Sequence, residues 1–251
     1  MSGHSKWAQI KRQKGVADAR RGQLFTKLGR EITVVARQGG GDPTANFRLR
    51  LAIQKARDSN MPIENIERAI KRGTGDAEGA ALAEATYEGY GPGGIAVLLQ
   101  VMTDNRNRTV ADIRNVFARS GGSLGEAGCV SWLFDSKGLI AVDTGQADAE
   151  EVALTAIDAG AEDVKIDDLS LEVYTKPEDL EAVRRTLEEG EVPIASAELS
   201  MVPKALVSLD DKAALQALKL LDKLEDLDDV QRVFSNADFP TEVVEKYQGS
   251  E

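Results

Sequence analysis

One cysteine and one histidine in 251 residues leave little room for several kinds of chemistry. Cys129 has no second thiol to pair with inside the chain, which fits a reducing cytosol. It precedes the apolar Val130, so core packing is its expected role. His4, with one distant cysteine, cannot assemble a Cys/His zinc site and leaves few ways to build a Ser-His-Asp or Cys-His arrangement. No 18 uncharged apolar residues run together, which argues against a membrane span. The first residues lack the apolar core of a secretory signal, and Gly does not directly follow Met1. The expectation is a cytoplasmic chain with no membrane partner.

Glycine and acid clusters raise two further possibilities. Glu88-Gly89-Tyr90-Gly91-Pro92-Gly93-Gly94 superficially matches a phosphate-binding loop. Such a loop must follow a strand and open a helix, whereas this one precedes the apolar run Ile95–Val101, and Pro92 removes an N–H donor. It reads as a tight structural turn. Asp167-Asp168, Asp210-Asp211 and Asp226 to Asp229 lack the alternating ligand spacing of a calcium loop. They read as helix caps and solvated turns. No cofactor, no metal and no enzyme are expected.

What the chain does have is a lopsided charge. The net charge is -11. Met1 to Gly73 carries 16 Lys plus Arg against 6 Asp plus Glu; the remainder carries 15 against 36. A basic head on an acidic body is the layout of a polyanion-binding module. The alternative is a basic piece docked on its own acidic neighbour.

Apolar periodicity places the elements. Leu24, Leu28, Ile32 and Val35 predict a helix over 19–38, ended by Gly39-Gly40-Gly41. Asp42-Pro43 reads as an N-cap and first helical residue, with Leu49, Ala52, Ile53 and Ala56 as the buried stripe. A third helix opens at Asn60-Met61-Pro62, buries Ile63, Ile66 and Ile70, and stops at Gly73. A linker follows over 74–82. Beyond it come a strand over 95–101, a helix over 108–119, and strands 130–134 and 139–142 around a turn at Asp135–Gly138. Then follow helix 149–159, strand 169–174, helix 177–189, strands 197–202 and 206–209, helix 212–224 and strand 230–235. The fold class is α+β multidomain: an N-terminal helical bundle followed by two α+β sandwiches of the split βαβ type. The expected domains are 1–75, a discontinuous 83–137 with 205–251, and an inserted 138–204.

The cations give the candidate site. Lys6, Lys11, Arg12 and Lys14 lie in a polar N-terminal arm with His4 and Ser5, and Arg20 and Arg21 stand at the helix entry. Coulomb attraction and counterion release draw such clusters to phosphate. Trp7 adds a stacking face among them. Lys27, Arg30 and Arg37 are expected to project from the first helix, free for solvent or phosphate. Arg50 and Arg57 flank one edge of the second helix and Lys55 the other. Arg106 and Arg108, alternating with Asn105 and Asn107 near a helix N-terminus, form a smaller patch suited either to an anion or to an ordinary surface loop.

Four motifs in order carry a resemblance. Gly3-His4-Ser5-Lys6-Trp7 with Ile10-Lys11 and Lys14 is the first. Asn60-Met61-Pro62, Asn65-Ile66 and Arg68 to Gly75 (RAIKRGTG) form the second. Tyr87 to Gly94 (YEGYGPGG) and Thr103 to Thr109 (TDNRNRT) are the third and fourth. Together they resemble the YebC/PmpR family. The resemblance implies an N-terminal helical domain and two domains related to the ferredoxin-like fold. It implies a regulator of gene expression, by convention DNA-binding, with a nucleic-acid partner. Mitochondrial relatives resemble translational activators, and bacterial members are linked to translation at stall-prone, proline-rich sequences, so ribosomal RNA and the ribosome are the alternative partners. It implies neither enzyme nor cofactor, and the sequence carries no signal for an oligomeric state.

Overall fold

The computed structural model of the chain describes residues 18–75, 82–143, 148–167 and 170–248. They divide into two compact units: Phe134–Lys204, and the flanking residues up to Leu133 and from Ala205 onward.

In the flanking unit, helices α1 (Asp18–Gly39), α2 (Phe47–Asp58) and α3 (Ile63–Thr74) form a small bundle. Its core joins Leu28, Ile32 and Val35 to Leu49, Ile53 and Ile66, the apolar stripes that set the helical period. Three details differ from the sequence reading. The cap of α2 is Asn46, whose side chain accepts from Leu49 N at 3.1 Å, while Asp42 closes a local turn onto Thr44. Asn46 wins because its amide also donates to Val35 O and Gly40 O, tying α2 to the end of α1. Ile63 is 54% exposed at the first position of α3, and Gly73 lies inside the helix rather than ending it.

The same unit continues with β1 (Ala83–Tyr90), β2 (Ala96–Thr103), α4 (Arg106–Arg119) and β3 (Ser123–Leu124). After the inserted unit, the chain adds the short strand β8 (Val207–Ser208), α7 (Asp211–Glu225), β9 (Val230–Ser235) and α8 (Thr241–Gln248). The sheet order is β3–β1–β2–β9, antiparallel throughout. Strands β2 and β3 are therefore parallel, joined by α4 and split by β1. Val97, Leu99 and Val101 of β2 pack with Ile113 and Phe117 of α4 and with Leu218 and Leu221 of α7. Strand β2 is buried on both faces, which explains an apolar run interrupted only by the half-buried Gln100.

The inserted unit runs β4 (Phe134–Asp143), α5 (Ala149–Asp158), β5 (Asp163–Asp167), β6 (Ser170–Thr175), α6 (Leu180–Glu189) and β7 (Ile194–Pro203). Its order, β5–β6–β4–β7, is again all antiparallel. This is the ferredoxin-like plan, a βαβ pair split by a third strand with a fourth beside the first. The flanking unit has the same spatial plan, but the strand filling its split, β1, comes first in the chain instead of after β3. Strand β4 is one continuous strand where two strands and a turn were expected. Asp135 to Gly138 stay paired with β7, and a Cβ at Gly138 would come within 2.8 Å of Leu180 Cβ. Residues 131–133 form a 3-10 turn instead of strand.

Candidate nucleic-acid interface

His4, Ser5, Lys6, Trp7, Lys11, Arg12 and Lys14 lie outside the described residues, as does the side chain of Arg20. The remaining candidates sort into engaged and unengaged cations.

Gln23, Lys27 and Arg30 recur at four- and three-residue steps, so α1 presents them on one face. That face meets the acidic turn that ends α7. Gln23 Nε2 donates to Asp226 O at 2.6 Å and to Asp228 Oδ1 at 3.0 Å. Lys27 Nζ donates to Glu225 O. Arg30 Nη1 donates to Asp228 O at 2.6 Å and Asp229 Oδ1 at 3.0 Å. The carbonyls of a helix C-terminus carry partial negative charge and lack helical partners, so cations dock there. Lys27 and Arg30 are thus not free for phosphate, contrary to the expectation. For these two residues the alternative holds: a basic piece docks on its acidic neighbour.

Asp229 is the hub of this contact. Its side chain is 9% exposed, not a solvated cap. Besides Arg30, it accepts from Thr109 Oγ1 at 2.7 Å, Thr103 Oγ1 at 3.1 Å and Arg108 Nη2 at 3.0 Å. Burial works against the charged carboxylate, but the hydrogen bonds from Thr109, Arg108 and Thr103 outweigh it and hold the pKa below the ordinary aspartate value. The run Thr103 to Thr109 therefore reads as a latch. Asn105 caps α4, accepting from Arg108 N at 3.1 Å, and Arg108 bridges Asp104 and Asp229. Of the smaller patch, Arg106 alone is exposed and unpaired among the described residues.

Other candidates are also engaged. Lys55 reaches Glu31 at 3.5 Å, and Arg50 stacks over Phe47 with its guanidinium carbon 5.6 Å from the ring centre. Arg48 binds Gln38 and Glu84. Arg21 is exposed at the start of α1. Arg37 and Arg57 are exposed, with no hydrogen bond or ion pair among the described residues. So are Lys71 and Arg72, two cations in the last turn of α3 that are not among the candidates read from the sequence.

The glycine motif is structural. Gly93 and Gly94 have φ of 75° and 77°, which favours glycine, and Gly91 N donates to Ile95 O at 2.8 Å to close the turn. The buried Glu88 beside it accepts backbone N–H bonds from Gly128, Val130 and Ser131 at 2.7, 2.7 and 2.8 Å. Burial raises its pKa, and these donors outweigh that and leave it lowered. The loop so fixed carries Trp132, 64% exposed, whose Nε1 shares the Cys129 carbonyl with the Tyr90 hydroxyl. Among the described residues no group of three His, Cys, Asp or Glu is placed to hold a metal, and no helix is long and apolar enough to cross a membrane.

Two family models account for nearly the whole chain. The TACO1/YebC N-terminal domain matches residues 5–76, and the TACO1/YebC second and third domain matches residues 82–237. The chain belongs to the TACO1/YebC family. Its TACO1/YebC relatives include a "probable transcriptional regulatory protein" of Dehalococcoides mccartyi, 62% identical over 247 residues and 98% of each chain. Another so named, from Chloroflexus aggregans, is 58% identical over 98% of this chain and 99% of its own. A solved structure, a conserved hypothetical protein from Aquifex aeolicus, is similar at a TM-score of 0.86 and 49% identity, covering 93% of this chain and 97% of that one.

Proposed function

We propose that this protein is a non-enzymatic, cytoplasmic nucleic-acid-binding regulator of gene expression that takes the phosphate backbone through its basic helical domain, residues 1–75. The charge partition is the observation that carries the reading. Sixteen cations against six acids lie before Thr74, ahead of a body with 36 acids. Phosphate repels such a body, so one end of the chain lies on the polyanion. The relatives' name, probable transcriptional regulatory protein, supports DNA as the polymer. Trp7, set among Lys6, Lys11 and Arg12, suits unpaired bases and gives the second reading, ribosomal RNA and a role in translation.

Crosslinking of the full-length protein in cells, with sequencing of the attached DNA and RNA, tests this directly. Enriched promoter DNA supports the transcriptional form; enriched ribosomal RNA supports the translational one. Recovery of neither above a mock control overturns the reading.

A further inference from the structure

The bundle holds a second set of cations, at the end where α1 and α3 meet. We propose that Arg37, Lys71 and Arg72 form a phosphate-binding face that grips the nucleic-acid backbone; this rests on the reading above and names a contact apart from the N-terminal arm.

Three observations carry it. First, the two helix ends are brought together by Gly73. A Cβ there would lie 2.8 Å from Ala36 Cβ and 3.2 Å from Arg37 N, and closer still to Thr33 O. Only a residue without a side chain lets the backbones approach so nearly, and the approach sets Arg37 beside the last turn of α3. Second, the donors of these cations are unengaged. Basic residues in a last helical turn often serve the terminal carbonyls. Here four carbonyls of the last turns have other partners. Ala36 O accepts from Gly40 N at 2.9 Å and Val35 O from the Asn46 amide at 3.0 Å. Ile70 O accepts from the Thr74 hydroxyl at 3.2 Å and Lys71 O from Gly75 N at 3.0 Å. Third, all three side chains are exposed and have no acidic partner among the described residues. Lys27, Arg30, Lys55 and Arg108 each have one or a carbonyl. Arg57 and Arg106 are also unpaired there, but they stand on separate elements, α2 and α4.

The chemistry fits phosphodiester oxygens. Two guanidinium forks offer paired N–H donors and the ammonium offers a point charge. DNA and RNA share that backbone, so the face does not choose between them by itself.

The test uses full-length protein and fluorescence anisotropy over a salt series, with a labelled DNA duplex and a labelled RNA hairpin. The triple variant R37Q/K71Q/R72Q should keep the wild-type thermal midpoint. Each neutralised phosphate contributes a log–log slope of about 0.9 on a duplex and about 0.7 on a single strand. The triple variant's slope should therefore be shallower by about 2 to 3 on whichever polymer binds. The conservative R37K/K71R/R72K should restore it, which a merely structural role would not require. The double variant K27Q/R30Q should lower the thermal midpoint and leave the slope alone. A triple variant with wild-type slope overturns this inference while the nucleic-acid reading stands. Wild-type protein that binds neither polymer overturns both.

Discussion

Arg30 and Asp229, 199 residues apart in the chain, meet at 3.0 Å. The carboxylate in that pair also holds Thr103, Thr109 and Arg108, so one aspartate fastens the helical bundle to β2 and α4. The first helix is thus held by the far end of the sequence.

Asp229→Asn should destabilise the fold by about 1–3 kcal/mol, the scale of hydrogen bonds to a charged group left without their acceptor. Urea unfolding at neutral pH would show a lower midpoint. The pH dependence follows from the lowered pKa. The contribution is fully present above the unfolded-state value and is lost as pH falls through the folded one. Wild type and variant should therefore converge in stability in strong acid. A gap that persists there would mean the carboxylate charge is not what matters.

Gly73→Ala should lower stability by about 1–3 kcal/mol, the cost of overpacking a close contact. Helix propensity alone points the other way, favouring alanine by about 1 kcal/mol. The sign of the change in thermal midpoint thus decides whether the approach of α1 and α3 sets this position.

Glu88→Gln should loosen the loop that carries Trp132. Its two carboxylate oxygens accept three backbone N–H groups, and an amide must turn an NH2 toward at least one of them. The loss is about 1–3 kcal/mol. In a Trp7→Phe background, Trp132 fluorescence should become more quenchable by iodide. Unchanged quenching would show that Glu88 does not position the indole.

Much of the fold was legible because the apolar residues keep helical or strand period. The stripe of α2, Leu49, Ala52, Ile53 and Ala56, is buried as read, and strand Val230–Ser235 has the expected ends. Strand β1 escaped notice because Ala83 to Tyr90 alternates small, acidic and aromatic residues, and its one fully internal acid, Glu88, is satisfied by a distant loop. Strand β4 looked broken at Asp135–Gly138 because turn residues can lie inside a strand when a long partner holds them: β7 pairs with all four, and β6 joins from Gly138 onward. Within the candidate site, charge was legible and its use was not. No local signal distinguishes Arg30, docked on Asp229, from Arg37, which is open; the difference is made by residues nearly two hundred positions away. Lys71 and Arg72 lie in the stretch Arg68 to Gly75, and their sequence signal is the run of two cations in the last turn of a helix.

The arm tests the central claim most directly. Full-length protein with Lys6, Lys11, Arg12 and Lys14 changed together to Gln should bind a labelled DNA duplex or RNA hairpin more weakly. Its log–log salt slope should be reduced by about 3 to 4, from four lost phosphate contacts. Unfolding should match the wild type. Binding as tight and as salt-sensitive as the unaltered protein would contradict the account.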